Sequence, residues 1–260
     1  MKIDLFQIGN FHVHGYGFMI GIGFLLALAL GCMRAKKLGL KDESVIDIAI
    51  LAGVCGFLGA KLLYVIVSFK DFLKDPLAVL GSEGFVVYGG IIAGVLAAWI
   101  YCKVKKLVFL EYFDLIMPEV ALAQGFGRIG CFLAGCCYGK ETSGPLAVTF
   151  TNSDFAPNNV ALIPTQIYSV FLDFAHFLLL LYVAKHKKAD GQVAACYLIF
   201  YSIGRFVIEF FRGDIERGSV GVLSTSQFIS IFTTVAGIIL LLTVVKKQKQ
   251  EANISLNSKG

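Results

Sequence analysis

The segment Gly125-Phe-Gly-Arg-Ile-Gly-Cys-Phe-Leu-Ala-Gly-Cys-Cys-Tyr-Gly139 decides the fold class and indicates a site. It ends an apolar stretch rich in small residues, which membrane helices use for close packing. Arg128 lies inside it, and a guanidinium that cannot lose its charge needs an anion or a wet cavity at membrane depth. A second arginine, Arg205, lies in the apolar segment Tyr201-Ser-Ile-Gly-Arg-Phe-Val-Ile-Glu-Phe-Phe-Arg212. Two such cations predict a buried site for an anion, and in a bilayer the commonest anion is a phospholipid head group.

The composition is that of a membrane protein. Mean hydropathy is +0.76, and 57% of the residues are apolar while only 16% are charged, which excludes an ordinary soluble domain. We therefore predict an all-α polytopic membrane protein with seven transmembrane helices, since seven apolar segments approach spanning length. They are residues 15–33, 44–68, 84–102, 113–138, 164–184, 191–211 and 226–245. The fourth carries Asp114, Glu119 and Arg128, and such charges are expected to face the bundle interior.

The basic residues predict the orientation of the chain. One set of connections is rich in them: Arg34, Lys36, Lys37, Lys41, Lys103, Lys105, Lys106, Lys185, Lys187, Lys188, Lys246, Lys247 and Lys249. The alternate set holds fewer: Lys2, Lys70, Lys74, Lys140, Arg212 and Arg217. The positive-inside rule then places the N-terminus outside and the C-terminus in the cytoplasm. The net charge of +5 reflects this topology and contact with anionic lipid, not nucleic-acid binding.

The chain is interpreted as one membrane domain over residues 1–245, with an outer loop at 140–163. Residues 246–260 are polar and are expected to form a disordered cytoplasmic tail. The first apolar run is long enough to remain as a span, so no cleavable signal peptide is expected. No internal repeat is visible, which disfavours an inverted-repeat transporter.

The sixth segment carries a polar stripe. At about 100° per residue, Tyr201, Arg205, Glu209 and Arg212 fall within about 80° of one another on one helical face. A single Arg205–Glu209 pair at i, i+4 is the simpler interpretation. A stripe that faces a cavity also explains why charges lie there at all. We expect no dedicated intramembrane acid for each of the two arginines, which leaves both available to an anionic ligand.

The remaining candidates each have an ordinary alternative. Tyr88, beside Gly89 and Gly90, is either a site residue or an interfacial aromatic. His14 is either a base or a solvated histidine at the outer edge. Cys131, Cys136 and Cys137 cluster at the predicted outer end of the fourth segment, in a spacing that matches no standard zinc or redox pattern. A disulfide on the oxidising side is one alternative for this cluster, although a bond between adjacent cysteines is strained.

With these residues in view, the sequence resembles the prolipoprotein diacylglyceryl transferase family over about residues 11–245. The segments that carry the resemblance are spread over the spans. They are His14-Gly-Tyr16-Gly-Phe-Met, Gly59-Ala-Lys-Leu-Leu-Tyr64, Gly127-Arg128-Ile-Gly130 with Gly139, Pro164-Thr-Gln166-Ile-Tyr168, the Tyr201/Arg205/Glu209/Arg212 set, and Gln227 with Ser230. The chain departs from the family where Tyr88 replaces a usual histidine, where Cys131 and Ala134 replace asparagines, and where Cys136 replaces a glutamate.

The resemblance implies transfer of a diacylglyceryl group from phosphatidylglycerol to the lipobox cysteine thiol of a prolipoprotein. The product is a thioether, and glycerol phosphate leaves. On this hypothesis the catalytic set is Arg128, Arg205, Tyr88, Glu209 and His14. The substrate-binding set is Tyr16, Tyr201, Arg212, Gly139 and Gln166.

The two arginines would stabilise the phosphate charge, and the proton acceptor would be His14 or Glu209. The three clustered cysteines are not expected to be nucleophiles. No metal or organic cofactor is expected. The partners are phosphatidylglycerol and prolipoprotein signal peptides, and the location is the bacterial cytoplasmic membrane. The alternatives are a family member with altered acceptor chemistry and a non-enzymatic phospholipid- or peptide-binding protein.

Overall fold

The computed structural model of the protein describes residues 4–8, 11–82, 84–214 and 218–257. Lys2 and Arg217, which entered the charge pattern, lie outside these ranges. The described chain is mostly helical. The helices are α1 Gly15–Lys37, α2 Asp42–Val67, α3 Phe69–Lys74, α4 Pro76–Gly81, α5 Val87–Val104, α6 Phe109–Ala134, α7 Thr165–His186, α8 Gln192–Glu209 and α9 Thr225–Asn257. Short antiparallel strand pairs join β1 Asp4–Ile8 to β2 Phe11–His14, β3 Val148–Thr149 to β4 Ala161–Leu162, and β5 Ser219–Val220 to β6 Leu223–Ser224.

Six of the described helices are long and apolar enough to cross a membrane: α1, α2, α5, α7, α8 and the first 26 residues of α9. The protein is therefore a mostly helical, polytopic membrane protein. The remaining long helix, α6, covers most of the predicted fourth span but also carries Glu111 and Pro118. Its acids Asp114 and Glu119 are almost fully buried, with relative exposures of 1% and 3%. This confirms that the fourth segment turns its charges inward.

The chain forms two compact units, one of residues 1–30 and 113–260 and the other of residues 31–112. In the first unit α8 packs against both α7 and α9. Its apolar core joins Met117 and Ala121 of α6 to Leu180 of α7 and to Val193 and Ala194 of α8. This core fixes the three helices that carry the site.

Asp114 of α6 caps the N-terminus of α8. Its Oδ1 accepts a hydrogen bond from the Ala194 N–H, and its Oδ2 accepts one from the Gly191 N–H, each at 2.9 Å. Lys187 Nζ donates to the same Oδ2 at 2.9 Å. A carboxylate that satisfies the first amides of a helix replaces the usual local cap. The buried acid therefore joins α6 to α8.

The loop between α6 and α7 is an ordered structure of its own. Strands β3 and β4 pair within it, and Phe150, Ala156 and Leu162 form a small core beneath them. Its start is fixed by hydrogen bonds from Gly139 N–H to the Ile163 carbonyl and from Lys140 N–H to the Phe211 carbonyl, each at 2.9 Å. The loop predicted at 140–163 is therefore anchored to the chain segment that follows α8.

In the second unit, α2 and α5 meet through glycines. A Cβ on Gly59 would lie 2.6 Å from the Gly89 carbonyl oxygen, closer than any side chain allows. Lys61 of α2 donates to the Ser82 carbonyl at 2.7 Å, which satisfies an ammonium inside an apolar helix. The family-like segment 59–64 therefore has a packing role in this unit.

The polar tail differs from the prediction. Helix α9 continues through residue 257 instead of ending near 245. Residues 246–252 are Lys, Gln, Glu and Ala, all strong helix formers, and no glycine or proline interrupts them. The prediction of disorder depended on polarity alone. Because the preceding part of α9 is already helical, each added residue extends an existing helix and no new nucleation is needed.

Candidate functional site

A cavity of about 290 Å³ lies in the first unit between side chains of α6, α7 and α8. It contains Arg128, Tyr201 and Arg205 together, as the polar stripe and the apolar-segment arginines predicted. The other lining residues are Ser169, Leu172, Asp173, Ala175, His176, Leu179, Phe200, Ile203, Gly204 and Ile208. The cavity thus combines two guanidinium groups with mainly apolar walls.

Arg128 faces a carboxylate from α7. Its Nε lies 4.0 Å from Asp173 Oδ2, and the two side chains are 23% and 10% exposed. This distance exceeds that of a hydrogen bond. Asp173 therefore offsets the charge of Arg128 without occupying the N–H donors of its guanidinium.

Arg205 has two closer partners. Its Nη2 lies 3.1 Å from Glu209 Oε2 on the same helix, and it donates to Ser226 Oγ of α9 at 3.0 Å. The expectation that neither arginine has its own intramembrane acid was wrong, since Asp173 faces one and Glu209 the other. Buried charges need such partners because desolvation is costly. Glu209 contacts Arg205 but is not among the residues that line the cavity.

Asp173 and His176 also line the cavity, although neither was predicted as a site residue. His176 Nε2 is buried and has no hydrogen-bond partner among the described residues. Its ring stacks on Tyr197 at 5.2 Å between centroids, and Tyr197 stacks on Tyr201 at 5.6 Å. The signal was present in the sequence, because Ser169, Asp173 and His176 follow the i, i+4, i+7 pattern of one helical face.

The helical-face prediction fails for Arg212. Helix α8 ends at Glu209, and Arg212 instead forms a β-bridge with Gly139. Its guanidinium donates to both carboxylate oxygens of Asp214, from Nε at 3.1 Å and from Nη2. The turn at 210–211 breaks the helical geometry on which the prediction depended. Arg212 and Gly139, both expected to bind substrate, lie side by side at the start of the ordered loop.

Gln166 lies at the first turn of α7, where its side chain holds the chain segment that follows α6. Its Nε2 donates to the Cys136 carbonyl at 2.8 Å, and Thr165 Oγ1 donates to the Cys137 carbonyl at 2.8 Å. Gln166 is 1% exposed, and its Oε1 has no hydrogen-bond partner among the described residues. The Pro-Thr-Gln segment therefore positions the cysteine turn.

The cysteine cluster is tighter than its spacing suggested. The Sγ atoms of Cys131, Cys136 and Cys137 all lie within 4.8 Å of one another. None of the described cysteines forms a disulfide. Gly135 and Cys137 both adopt positive φ angles, 76° and 60°. These two left-handed residues reverse the chain after α6 and bring the last two thiols back to the first.

Like Glu209, Arg212, Gly139 and Gln166, the last three predicted residues are not among those that line the cavity. Tyr16 packs on Gly130, where an added Cβ would lie 3.1 Å from the tyrosine Cδ2. Tyr16 of α1 therefore contacts α6 at Gly130, two residues after Arg128. His14 is an exposed residue at the end of β2, and Tyr88 lies in the first turn of α5, in the other unit.

Comparison with known proteins gives a single answer. The sequence profile described as prolipoprotein diacylglyceryl transferase matches residues 4–243. The phosphatidylglycerol–prolipoprotein diacylglyceryl transferase of Clostridium tetani is 50% identical over 92% of this chain and 96% of its own. A Clostridium perfringens protein of the same name, numbered 2, is 46% identical over 92% of this chain and 94% of its own. A Clostridioides difficile protein of that name is 33% identical over 96% of this chain.

Proposed function

The chain belongs to the prolipoprotein diacylglyceryl transferase family, and we propose that it transfers a diacylglyceryl group from phosphatidylglycerol to the lipobox cysteine of prolipoproteins. The observation that carries this proposal is the shared cavity of Arg128 and Arg205, which belong to different helices. Phosphatidylglycerol has one anionic phosphate attached to an apolar body. A cavity with two guanidinium groups and apolar walls is complementary to both parts.

The head-group phosphate would bind between the two guanidinium groups. Arginine presents planar N–H pairs that match phosphate oxygens, and hydrogen bonds to charged groups contribute about 1.5–3 kcal/mol each. The long Arg128–Asp173 separation of 4.0 Å leaves donors on Arg128 for this purpose. Glu209 and Ser226 hold Arg205 in position. Leu172, Leu179, Phe200, Ile203 and Ile208 line the apolar part of the same cavity and suit the glycerol and the first acyl carbons.

The reaction is a displacement at the glycerol carbon that carries the phosphate. The substrate thiol loses its proton, its sulfur attacks this carbon, and a C–S bond forms. The C–O bond to phosphate breaks, and its electron pair stays on the departing glycerol phosphate. Arg128 and Arg205 stabilise the charge that develops on the phosphate oxygens. The thiol proton passes to a base, and Asp173 is our assignment because it is the carboxylate that lines the cavity.

This assignment revises the proton acceptors expected from the sequence. Glu209 is engaged by Arg205, and His14 lies in the β1–β2 hairpin. We keep Glu209 as a positioning residue and Tyr201 as a cavity wall that contacts the lipid. Tyr16, Gln166, Gly139 and Arg212 would shape the approach of the signal peptide beside the cysteine turn. Tyr88 is proposed to donate a hydrogen bond to a lipid oxygen, on the basis of its family position.

We further propose seven spans, with α6 as the fourth. The helix is 26 residues long, which is enough to cross the hydrocarbon core. Its inward charges account for its low hydropathy. The basic residues between α1 and α2, α5 and α6, and α7 and α8 then lie in the cytoplasm with the C-terminal part of α9. This orientation suits the bacterial cytoplasmic membrane, where both substrates occur.

The test is transfer in a defined system. Purified protein in detergent is mixed with phosphatidylglycerol and a lipobox peptide, and the thioether product is measured by mass spectrometry. Arg128→Ala and Arg205→Ala should each lower kcat/KM about 100–1000-fold, the range found when groups that stabilise developing charge are removed. Arg34→Ala, at the cytoplasmic end of α1, is the matched arginine control. Turnover near the wild-type level in either cavity variant contradicts the proposal. Lipid binding without any product in the wild type supports the non-enzymatic alternative.

A further inference from the structure

The three clustered thiols have the geometry of a metal site. The distances among their Sγ atoms stay within 4.8 Å. Three sulfurs at about 2.3 Å from a tetrahedral Zn²⁺ lie about 3.8 Å apart. Small side-chain rotations therefore bring all three onto one ion.

The backbone holds this arrangement in place. Cys131 lies in the last turn of α6 and is 8% exposed, and its carbonyl accepts the Cys136 N–H at 3.1 Å. The carbonyls of Cys136 and Cys137 are fixed by Gln166 and Thr165 of α7. A non-glycine residue at φ 60°, as in Cys137, persists where surrounding contacts fix it, and such residues concentrate at functional sites. The thiols are thus held together by the fold before any ion arrives.

A disulfide between the adjacent Cys136 and Cys137 would be strained, and none of the described cysteines forms one.

We propose that Cys131, Cys136 and Cys137 form a trithiolate site for a soft d¹⁰ cation, with Zn²⁺ as the ion. Three protein ligands leave one position of a tetrahedral ion open, which is the pattern of catalytic zinc sites. Sequence spacing did not indicate this site because the ligands sit on a helix end and a tight turn, not on a CxxC hairpin.

A second step rests on the proposed function. Cys131 lies three positions after Arg128 on α6, which places the two side chains on neighbouring parts of one helical face. The open position suits the lipobox thiol, and a thiol bound to Zn²⁺ is deprotonated. On binding, the thiol proton would pass to Asp173, the proposed base. The sulfur would then form the C–S bond as the C–O bond to phosphate breaks, its electron pair would stay on the departing glycerol phosphate, and the neutral thioether would dissociate. The Zn²⁺ keeps its charge and its three protein ligands throughout.

Metal binding is tested by titration of the full chain in detergent. Reduced, chelator-treated protein is titrated with Cd²⁺, and sulfur-to-cadmium absorption is followed, with Zn²⁺ added as competitor. We expect one Cd²⁺ per chain, displaced by Zn²⁺.

The triple variant Cys131→Ser/Cys136→Ser/Cys137→Ser should lose this absorption band, while Cys55→Ser should keep it. Gln166→Ala retains all three thiols and should weaken binding about 10–100-fold, as expected for loss of a residue that orients a ligand. Wild-type protein without saturable 1:1 binding, or a triple variant with an unchanged band, overturns the site.

The thiol step is tested separately in the transfer assay. Metal-free enzyme should show a kcat at least about 10-fold below that of Zn²⁺-loaded enzyme, with an unchanged KM for phosphatidylglycerol. Equal kcat values with and without bound Zn²⁺ overturn this step and leave the metal site intact. Absence of transfer by the loaded wild type contradicts the proposed function and the thiol step together, whereas the cadmium titration does not depend on either.

Discussion

Asp173 Oδ2 lies 4.0 Å from Arg128 Nε across the interface of α7 and α6. The pair is close enough for charge compensation and too long for a hydrogen bond. The carboxylate therefore shares the cavity with the guanidinium without being locked to it. This relationship gives Asp173 two possible roles, charge balance or proton acceptance, and they predict different kinetics.

We expect Asp173→Asn to lower kcat about 10²–10⁴-fold, the usual contribution of a positioned base, while the KM for phosphatidylglycerol changes little. The limb of the pH profile that reports the base should disappear in the same variant. Asp71→Asn, which removes an exposed acid of α3 paired with Lys74, is the control. If Asp173 served charge balance alone, the variant would bind the lipid more tightly and kcat would be preserved.

Tyr88→Phe should lower kcat/KM about 10-fold, which corresponds to about 1.4 kcal/mol, within the range of one hydrogen bond to a charged or polar oxygen. The reason is that a phenol is mainly a proton donor at neutral pH. Transfer to the lipobox peptide is the measurement, with Tyr182→Phe on the exposed face of α7 as the control. Complete loss would assign the phenol a proton-transfer role, and an unchanged rate would leave Tyr88 as an interfacial aromatic.

Asp114→Ala should destabilise the protein by about 2–4 kcal/mol, because it removes the cap of α8 and leaves the Lys187 ammonium half-buried without this partner. Thermal unfolding in detergent is the measurement. Asp190→Ala, which removes the more exposed partner of Lys187, should have a smaller effect. Equal unfolding temperatures for Asp114→Ala and the wild type would contradict a capping role.

The stabilisation that the Asp114–Lys187 pair contributes should also depend on pH. Burial lowers the pKa of Lys187, but hydrogen bonds to Asp190 and Asp114 outweigh it, so the net pKa lies above its ordinary value of 10.5. A raised pKa means that the stabilisation is fully present below pH 10.5 and declines as the pH rises further. The difference in unfolding temperature between wild type and Asp114→Ala should therefore stay constant near neutral pH. A difference that vanished by pH 8 would refute this linkage.

Gly139→Ala should reduce both stability and transfer. An added Cβ would lie 2.5 Å from the Ile163 carbonyl oxygen and 2.9 Å from that of Phe211. Both are backbone atoms that cannot rotate away, so we expect a cost of about 1–3 kcal/mol, as for overpacking in a core. Gly144→Ala in the same loop meets only the Thr142 hydroxyl, at 3.3 Å, and should be tolerated. Similar unfolding temperatures for the two variants would show that the contact at residue 139 relaxes easily.

The membrane class, most helix positions and the two key arginines can all be predicted from the sequence. These features are local: hydropathy over about 20 residues predicts a span, and a guanidinium inside an apolar segment requires a partner wherever the segment packs. The burial of Asp114 and Glu119 followed from the same argument. The family resemblance added the reaction, which no local property contains.

The partners of those charges depend on how the helices pack. Asp173, not a residue of α6, faces Arg128, because α7 lies against α6 at that depth. Arg212 left the predicted stripe because α8 ends at Glu209. Gln166 holds the Cys136 carbonyl from a position 30 residues further along the chain. The cysteine cluster forms because Gly135 and Cys137 adopt left-handed conformations. The spacing of the cysteines in the sequence does not reveal this turn. The Asp173–Arg128 and Gln166–Cys136 contacts join segments distant in sequence, so packing in three dimensions, not local hydropathy, determines them.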